Sequence, residues 1–169
     1  MNEKLVWVRA SDRPDLLADP VRRAVQEAEV AEIDPELADT AAFCDRYGVA
    51  PEASANCVIV ATKRGGETRY AACMVLATMR VDVNGVVRKH LDARKASFAP
   101  MDQAVELTGM EYGGITPIGL PEDWPILVDV NVAALDWAVI GSGVRRSKLA
   151  VPGATLAGLK GAEVLALAN

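Results

Sequence analysis

A segment rich in glycine and proline, residues 107–121, has the composition best suited to chemistry on a small polar group. It reads LTGMEYGGITPIGLP and holds four glycines and two prolines in fifteen residues. Glycine leaves backbone N–H groups accessible and proline restricts the chain, so such a loop can hold an oxyanion or a carbonyl oxygen without a charged side chain. A tight structural connection would use the same composition. The segment is therefore either a candidate active-site wall or a turn.

Side chains that act as bases, nucleophiles or metal ligands are few. The one histidine, His90, lies in a basic run where a surface position is expected, and an imidazole-based triad would depend on it alone. The three cysteines form no C-x-x-C pair; they are Cys44, Cys57 and Cys73. The sequence therefore predicts no disulfide, no metal site and no cofactor.

Charge is distributed unevenly along the chain. The formal net charge is -5, yet residues 55–100 hold eight Lys/Arg and three Asp/Glu, a local net charge of +5. Because the field near a surface is set by charges within about a Debye length, ~8 Å, a local basic face can attract phosphates on an acidic protein. An ordinary solvated face would have the same composition. We expect no DNA partner.

No membrane or secretory segment is visible in the sequence. The most apolar stretch, residues 126–140, is interrupted by Asp129, Asn131 and Asp136 and falls short of the roughly 18 apolar residues that span a bilayer. The first residues lack a basic segment followed by a long apolar one. We therefore expect a cytoplasmic protein with no membrane partner.

The elements that must position the glycine-rich loop begin with a helical N-terminal part. Apolar residues from Pro14 to Ala28 recur at helical spacing. A second helix follows Asp34-Pro35 and ends at Gly48, with Ala31–Asp34 as the one plausible linker. Two β-rich runs around Gly65-Gly66, residues 57–62 and 69–76, then predict a hairpin.

The second half of the chain mixes short helices and strands. We predict helices over 84–91 and 101–107, the latter ended by Gly109. Strands are predicted over 96–99, 126–129, 138–140 and 164–167. The order lacks a regular βαβ repeat, and the length of 169 residues suits one core. The fold class is therefore α+β, a single compact domain with a mixed, mostly antiparallel sheet flanked by helices.

From about Tyr47 to Leu167 the chain resembles the YbaK-type aminoacyl-tRNA deacylases, which include the editing domain associated with prolyl-tRNA synthetase. Ala99-Pro100, the run GGITPIGL at 113–120 and Val128-Asp129 carry the resemblance. So do the segment IGSG at 140–143, Lys148-Leu149 and the closing Pro152-Gly153 pattern. The resemblance covers about 120 residues, which makes it far more specific than one glycine motif.

The resemblance implies hydrolysis of the ester between a wrongly attached amino acid and the 3′ end of tRNA. The G-x-x-x-P loop would hold the aminoacyl carbonyl with backbone amides, Gly113 and Gly114 acting in catalysis and Ile115, Thr116 and Pro117 binding substrate. Mischarged tRNA and an aminoacyl-tRNA synthetase are the implied partners. The implied arrangement is an editing domain over residues 47–169 with a helical N-terminal extension, residues 1–46, packed on it.

One position departs from the family pattern. Members usually carry a lysine at the start of the first strand, and this chain has Asn56 there, which keeps hydrogen bonding and loses the charge. We assign Asn56 to the catalytic site, with an altered substrate or a reduced activity as consequences. A non-catalytic module that binds tRNA or a synthetase, and a hydrolase of another ester, remain alternatives. Cys57 beside it has no neighbouring base to activate a thiol nucleophile.

Further candidates fall into two groups. Asp129, Gly141, Ser142 and Gly143 would help to bind substrate, although a capping residue and a turn explain the same sequence. Predicted contacts to tRNA phosphates come from five basic residues, which are Arg88, Lys89, Arg145, Arg146 and Lys148. A solvated basic edge is the alternative for this second group.

Overall fold

The computed structural model describes residues 3–169. Its strands are β1 (Val8–Arg9), β2 (Glu29–Glu32), β3 (Ala55–Arg64), β4 (Glu67–Leu76), β5 (Lys95–Phe98), β6 (Ile126–Asp129), β7 (Ala138–Gly141), β8 (Ser147–Val151) and β9 (Ala162–Leu165). Its helices are α1 (Asp19–Ala24), α2 (Thr40–Tyr47), α3 (Arg88–His90), α4 (Met101–Thr108), α5 (Val130–Ala133) and α6 (Gly153–Ala157). Short 3-10 turns cover Ala10–Asp12, Pro14–Leu16, Pro35–Leu37 and Pro51–Ala53, and a π-turn, Val83–Val87, leads into α3.

The strands form two sheets. One has the order β1-β2-β8-β7 and is antiparallel throughout. The other has the order β5-β3-β4-β6-β9, with antiparallel pairing from β5 to β4 and parallel pairing from β4 to β9. The predicted α+β class with a mixed, mostly antiparallel sheet is confirmed, and the strands are divided between two sheets.

The predicted hairpin is confirmed and is the longest pairing in the molecule. Strands β3 and β4 pair over ten residues from Ala55↔Leu76 to Arg64↔Glu67. The two residues that join them, Gly65 and Gly66, have φ of 58° and 79°. A two-residue connection of this kind needs positive φ at both positions, which glycine adopts without steric cost.

Strand β4 is buried on both faces, and its alternation assigns side chains to two cores. Ala72 and Met74 belong to the main cluster. Cys73 and Val75 belong to a second cluster with Val87 and other apolar residues. Because successive strand residues point to opposite faces, this one strand stabilises both sides of the sheet.

The predicted N-terminal helix is wrong in extent. Instead of one helix over residues 14–28, the structure has the Pro14–Leu16 turn, two extended residues and then α1. Pro20 explains the break, since proline in a helix interior removes a hydrogen bond and clashes with the preceding turn. The helix begins at Asp19, so that Pro20 falls in its first turn.

The predicted linker, Ala31–Asp34, is also wrong. Strand β2 includes Ala31, which is fully buried, and pairs with β8 from Glu29↔Ala150 to Glu32↔Ser147. The N-terminal part is therefore not all helical, and it contributes strands to a sheet shared with residues 138–151. Sheet pairing thus crosses residue 46, where we had placed the edge of an extension.

Other predicted elements lie close to where the sequence placed them. Gly48 and Gly109 end α2 and α4 in the left-handed conformation, with φ of 67° and 69°. The predicted basic helix forms as the π-turn followed by α3. The final strand begins two residues earlier than predicted, at Ala162.

Candidate functional site

The candidate site lies where the two sheets meet. A parallel bridge joins Ser54, just before β3, to Val139 of β7. Beside it is a cleft of about 390 Å³. Its lining includes five residues proposed from the sequence, among them Asn56, Gly113, Ile115 and Lys148. The fifth is Gly141, at the end of β7.

The glycine-rich loop is held against the turn that follows β7. The N–H of Gly114 donates to the carbonyl of Glu111 at 2.9 Å, and the N–H of Gly143 donates to the carbonyl of Gly114 at 2.7 Å. A Cβ on Gly114 would lie 2.9 Å from the Val144 backbone, and a Cβ on Gly141 would lie 2.5 Å from the Gly114 oxygen. Close backbone packing therefore requires glycine at both positions.

Two backbone donors of this loop have no protein acceptor. Within residues 3–169, no hydrogen bond from the N–H of Gly113 or Ile115 is formed, and both residues line the cleft. The hydroxyl of Thr116 is fully buried and likewise has no partner there. Pro117 is buried and lies outside the lining of this cleft. The loop therefore offers N–H groups at Gly113 and Ile115, whereas that of Gly114 is already paired.

Asn56 is fixed by a residue of α2. The hydroxyl of Thr40 donates to Asn56 Oδ1 at 2.6 Å, and both side chains are partly buried on the cleft wall. This bond uses the amide oxygen and leaves the amide N–H groups as the groups that Asn56 can present. The side chain thus supplies neutral donors.

Lys148 is not a surface residue. It lies on β8 with only 7% of its surface exposed, and its ammonium donates to the Ala38 carbonyl at 2.8 Å. Nζ also lies 5.2 Å from the centre of the Phe43 ring. Burial lowers the pKa of Lys148 to about 8. Burial therefore rules out the alternative in which Lys148 forms a solvated basic edge with Arg145 and Arg146, and its predicted phosphate contact stays a prediction.

Arg145 ties the glycine-rich loop to the N-terminal part. Its backbone N–H donates to Glu111 Oε1 at 2.8 Å, and its guanidinium donates to the carbonyls of Tyr112 at 3.0 Å and Pro35 at 3.1 Å. The guanidinium also lies 5.6 Å from the Tyr112 ring centre. The exposed Arg146 donates to the carbonyl of Asp15. Both guanidinium groups are thus engaged within the fold.

Two predicted substrate-binding side chains have structural partners instead. Asp129 is buried, caps α5 through Asn131 N at 3.0 Å and accepts from Leu167 N at 3.1 Å. Ser142 is buried and its hydroxyl contacts the carbonyls of Val144 and Ser147, each at 3.1 Å. Neither lines the cleft. Asp129 is therefore a helix cap, and Ser142 shapes the turn beneath the loop.

Cys57 follows Asn56 on β3 and lines the cleft. Burial, with a smaller contribution from Cys73, raises the pKa of its thiol far above the ordinary value. The reactive form of a cysteine is the thiolate. A nucleophilic Cys57 is therefore disfavoured.

A basic cleft lies at the far end of β3. Its volume is about 400 Å³, and its basic residues are Lys63, Arg88, Arg94 and Lys95. In the described part of the chain none of these four forms an ion pair with a carboxylate, whereas Arg64 and Arg69 nearby pair with Asp92 and Glu67. Lys89 is exposed outside this lining. Of the five predicted phosphate contacts, Arg88 alone lies in this cleft.

Sequence reasoning missed several residues of the site. Thr40 and Asp39 come from the N-terminal part, and Met101 and Tyr112 form an exposed apolar rim. No motif marks Thr40 or Asp39, because it is the pairing of β2 with β8, over a hundred residues away, that brings the N-terminal part to the cleft. The one signal in the sequence that could have identified Tyr112 is an aromatic residue placed inside a glycine-rich loop.

A larger cavity of about 780 Å³ lies elsewhere, between α1 and residues 117–122. Of the predicted site residues it contains only Pro117. Among residues 3–169 there is no group of three or more acidic, histidine or cysteine side chains able to hold a metal ion. The same residues form no helix long and apolar enough to cross a membrane. The smaller cleft at the sheet junction is therefore the candidate site.

Residues 34–159 match the family model of the aminoacyl-tRNA editing domain. The chain belongs to this family. The match begins at residue 34, before the position where we had predicted the editing domain to start. It includes every candidate residue of the cleft, from Ala38 to Lys148.

Solved structures share the fold of this editing domain. A "putative trans-editing enzyme for prolyl tRNA synthetase" superimposes with a TM-score of 0.72 at 19% identity, covering 84% of this chain and 87% of that one. Hypothetical protein APE2540 superimposes with a TM-score of 0.75 at 20% identity, covering 84% and 91%. At these identities the likeness concerns the fold alone.

Proposed function

We propose that this editing domain is a trans-editing deacylase, which hydrolyses the ester joining an amino acid to the 3′ end of a mischarged tRNA. The observation that carries the proposal is the pair of backbone N–H groups, at Gly113 and Ile115, that have no acceptor among the described residues and belong to the cleft wall. Preorganised donors of this kind stabilise the oxyanion of acyl transfer. Membership of the editing family supplies the substrate class.

The residues around these donors support the binding of an aminoacyl ester. Asn56 supplies neutral amide donors beside the loop, fixed by Thr40. Tyr112 and Met101 present exposed apolar surface at the rim, where a terminal base can stack. Positioning and oxyanion stabilisation together account for acceleration without an imidazole base.

The basic cleft supports a second contact, to the tRNA backbone. Lys63, Arg88, Arg94 and Lys95 surround it without carboxylate partners in residues 3–169. Strand β3 carries both sites, with Asn56 near its beginning and Lys63 near its end. At about 3.3 Å per residue they lie up to about 23 Å apart. One tRNA can therefore reach both with its acceptor end in the cleft at the sheet junction.

The decisive experiment is release of radiolabelled amino acid from a panel of mischarged and correctly charged tRNAs. Hydrolysis of at least one mischarged tRNA, with correctly charged tRNA spared, is expected. An amide-to-ester replacement at Ile115 removes the N–H alone and should lower the rate by about 100-fold, the effect of one oxyanion donor. Binding of tRNA without hydrolysis of any member would instead identify the non-catalytic module.

A further inference from the structure

Lys148 is a buried cation without a counter-ion. Its ammonium has one hydrogen bond, to the Ala38 carbonyl, and forms no ion pair with a carboxylate in the described residues. The neighbouring Asp39 carboxylate lies 3.9 Å from the Arg145 guanidinium. Buried charges are costly and are normally paired. An unpaired ammonium beside a cleft is therefore suited to a negative charge that arrives with the substrate.

The cleft has no other cation in this position. Of its lining residues Lys148 alone is basic, and it shares that lining with Asn56 and Gly113. The charged and titratable groups around it are Cys44 of α2, Asp39 and Arg145. Two of the three N–H groups of the ammonium have no acceptor among residues 3–169.

We propose that Lys148 supplies the positive charge of the site and stabilises the oxyanion on the ester carbonyl oxygen. This inference rests on the proposed deacylase function. The water oxygen bonds to the carbonyl carbon, and the electron pair of the C=O bond moves to the oxygen beside Lys148. The C=O bond then re-forms from that electron pair as the bond to the ribose oxygen breaks; one water proton goes to the ribose oxygen, and the other leaves with the acid.

A cation at this position also orients the substrate. The α-amino group of an aminoacyl ester is cationic when protonated, and like charges repel. The amino group therefore points away from Lys148, and the carbonyl oxygen points towards it. Asn56 is neutral and adds no repulsion of its own, which is consistent with one ammonium in the cleft.

The test compares single-turnover hydrolysis of the best mischarged tRNA by the parent, Lys148→Met and Lys148→Gln. Both variants should lose about 100-fold in rate at saturation, with little change in the Kd for tRNA. The ratio of parent to Lys148→Met rates should fall as pH rises through about 8, because the parent ammonium loses its proton there. Removal of the exposed Lys160 by Lys160→Met is the matched control and should change neither quantity.

A double variant distinguishes charge from structure. Asn56→Lys in the Lys148→Met background returns one ammonium to the cleft. The double variant should hydrolyse the tRNA at least tenfold faster than Lys148→Met. Lys148→Gln keeps a donor for the Ala38 carbonyl, so a rate equal to that of the parent would assign Lys148 a structural role and overturn the inference. An unchanged rate at saturation with a weaker Kd would place the ammonium against a phosphate and would overturn it as well.

The outcomes for the two proposals are separable. If the parent hydrolyses a mischarged tRNA and Lys148→Met equals it at every pH, only the inference about Lys148 fails. If the parent hydrolyses none of the panel, the deacylase function fails and the inference fails with it.

Discussion

Asn56 owes its orientation to a single short hydrogen bond from Thr40. The 2.6 Å bond links α2 to β3 and holds the amide oxygen away from the substrate's own acceptors. Under the proposed function, this contact leaves the amide N–H groups of Asn56 as the donors that face the substrate. A rotated amide would present an oxygen to the substrate carbonyl, which is repulsive.

Thr40→Val removes the donor and keeps the shape of the side chain. We expect about a tenfold loss of deacylation rate, corresponding to roughly 1.4 kcal/mol for one hydrogen bond, with a small change in melting temperature. Thr40→Ser retains the hydroxyl and should remain close to the parent. Equal activity of Thr40→Val and parent would remove Asn56 orientation from the mechanism.

Lys148 should make stability depend on pH. Burial lowers its folded-state pKa from 10.5 to about 8, so the charged form is less favourable in the folded protein than in the unfolded chain. That cost is fully present below pH 8 and disappears as pH rises towards 10.5. Lys148→Met should therefore be more stable than the parent at pH 7, by up to about 3 kcal/mol before lost contacts.

Urea unfolding of both proteins from pH 7 to 10.5 measures this difference. The advantage of Lys148→Met should shrink steadily above pH 8, because the parent lysine loses its proton in the folded state. A difference that stays constant over the whole range would show that the ammonium is not destabilised by burial.

Tyr112 is half exposed beside the cleft, and the Arg145 guanidinium lies 5.6 Å from its ring centre. Tyr112→Ala should weaken tRNA binding by about 5- to 150-fold, the range for one base–aromatic stack, whereas Tyr112→Phe should bind as the parent does. Equilibrium binding of uncharged tRNA measures it. Loss of affinity in both variants would point to the hydroxyl and against stacking.

At the level of elements, the site depends on an arginine that joins three segments. Arg145 connects the Glu111–Tyr112 part of the loop to Pro35, and a Cβ on Gly113 would lie 2.4 Å from its guanidinium. Gly113→Ala and Gly114→Ala would therefore disturb packing as well as catalysis. They are poorer tests of the oxyanion donors than replacement of one N–H.

Arg145→Met should loosen the loop. Loss of the two guanidinium–carbonyl bonds should cost about 3 kcal/mol of stability, judged from about 1.5 kcal/mol for each charge-assisted bond. Thermal unfolding should show the loss, and deacylation should fall because Gly113 and Ile115 are no longer held in place. Arg146→Met, whose exposed guanidinium reaches the Asp15 carbonyl, is the control and should change activity little.

Helices and strands that are bounded by glycine turns or caps could be predicted from the sequence. Strands that form only by pairing with a distant segment could not. Gly65-Gly66 marks the hairpin and Gly109 ends α4, because these positions have positive φ and glycine is the residue that adopts it most readily. Strand β2 is four residues long, with both central residues buried and no alternation. Its partner β8 lies more than a hundred residues away, so nothing local identifies either strand.

The same distinction applies to the site. The glycine-rich loop could be selected from the sequence because of its G-x-x-x-P motif. Asn56 could be selected because it departs from the pattern of the family that the sequence resembles. The place of Thr40 at the cleft and the burial of Lys148 could not, since both depend on the sheet that joins the N-terminal part to residues 138–151. In the sequence, Lys148 follows Arg145 and Arg146 and looks like part of one basic surface patch. Its burial, which distinguishes it from the two arginines, is visible only in the structure.

At the scale of the whole molecule, binding should be measurably electrostatic despite the net charge of -5. Arg88→Ala with Arg94→Ala should weaken tRNA binding and make the slope of log K against log salt shallower by about 1.4–1.8, for two phosphate contacts. Arg64→Ala with Arg69→Ala is the matched control, since those residues already pair with Asp92 and Glu67. Equal slopes in the two double variants would contradict the assignment of the basic cleft.

Under the proposed function, the length of β3 sets a minimum size for an efficient substrate. Strand β3 holds the cleft at the sheet junction and the basic cleft at a fixed separation. A ligand that reaches both gains the avidity of two linked sites. A short ligand gains neither this linkage nor the attraction of the basic cleft. An aminoacyl adenosine or a free amino acid ester engages one end only. The fixed separation of the two clefts would therefore select substrates by their length, and small activated amino acids in the cell would remain largely unhydrolysed.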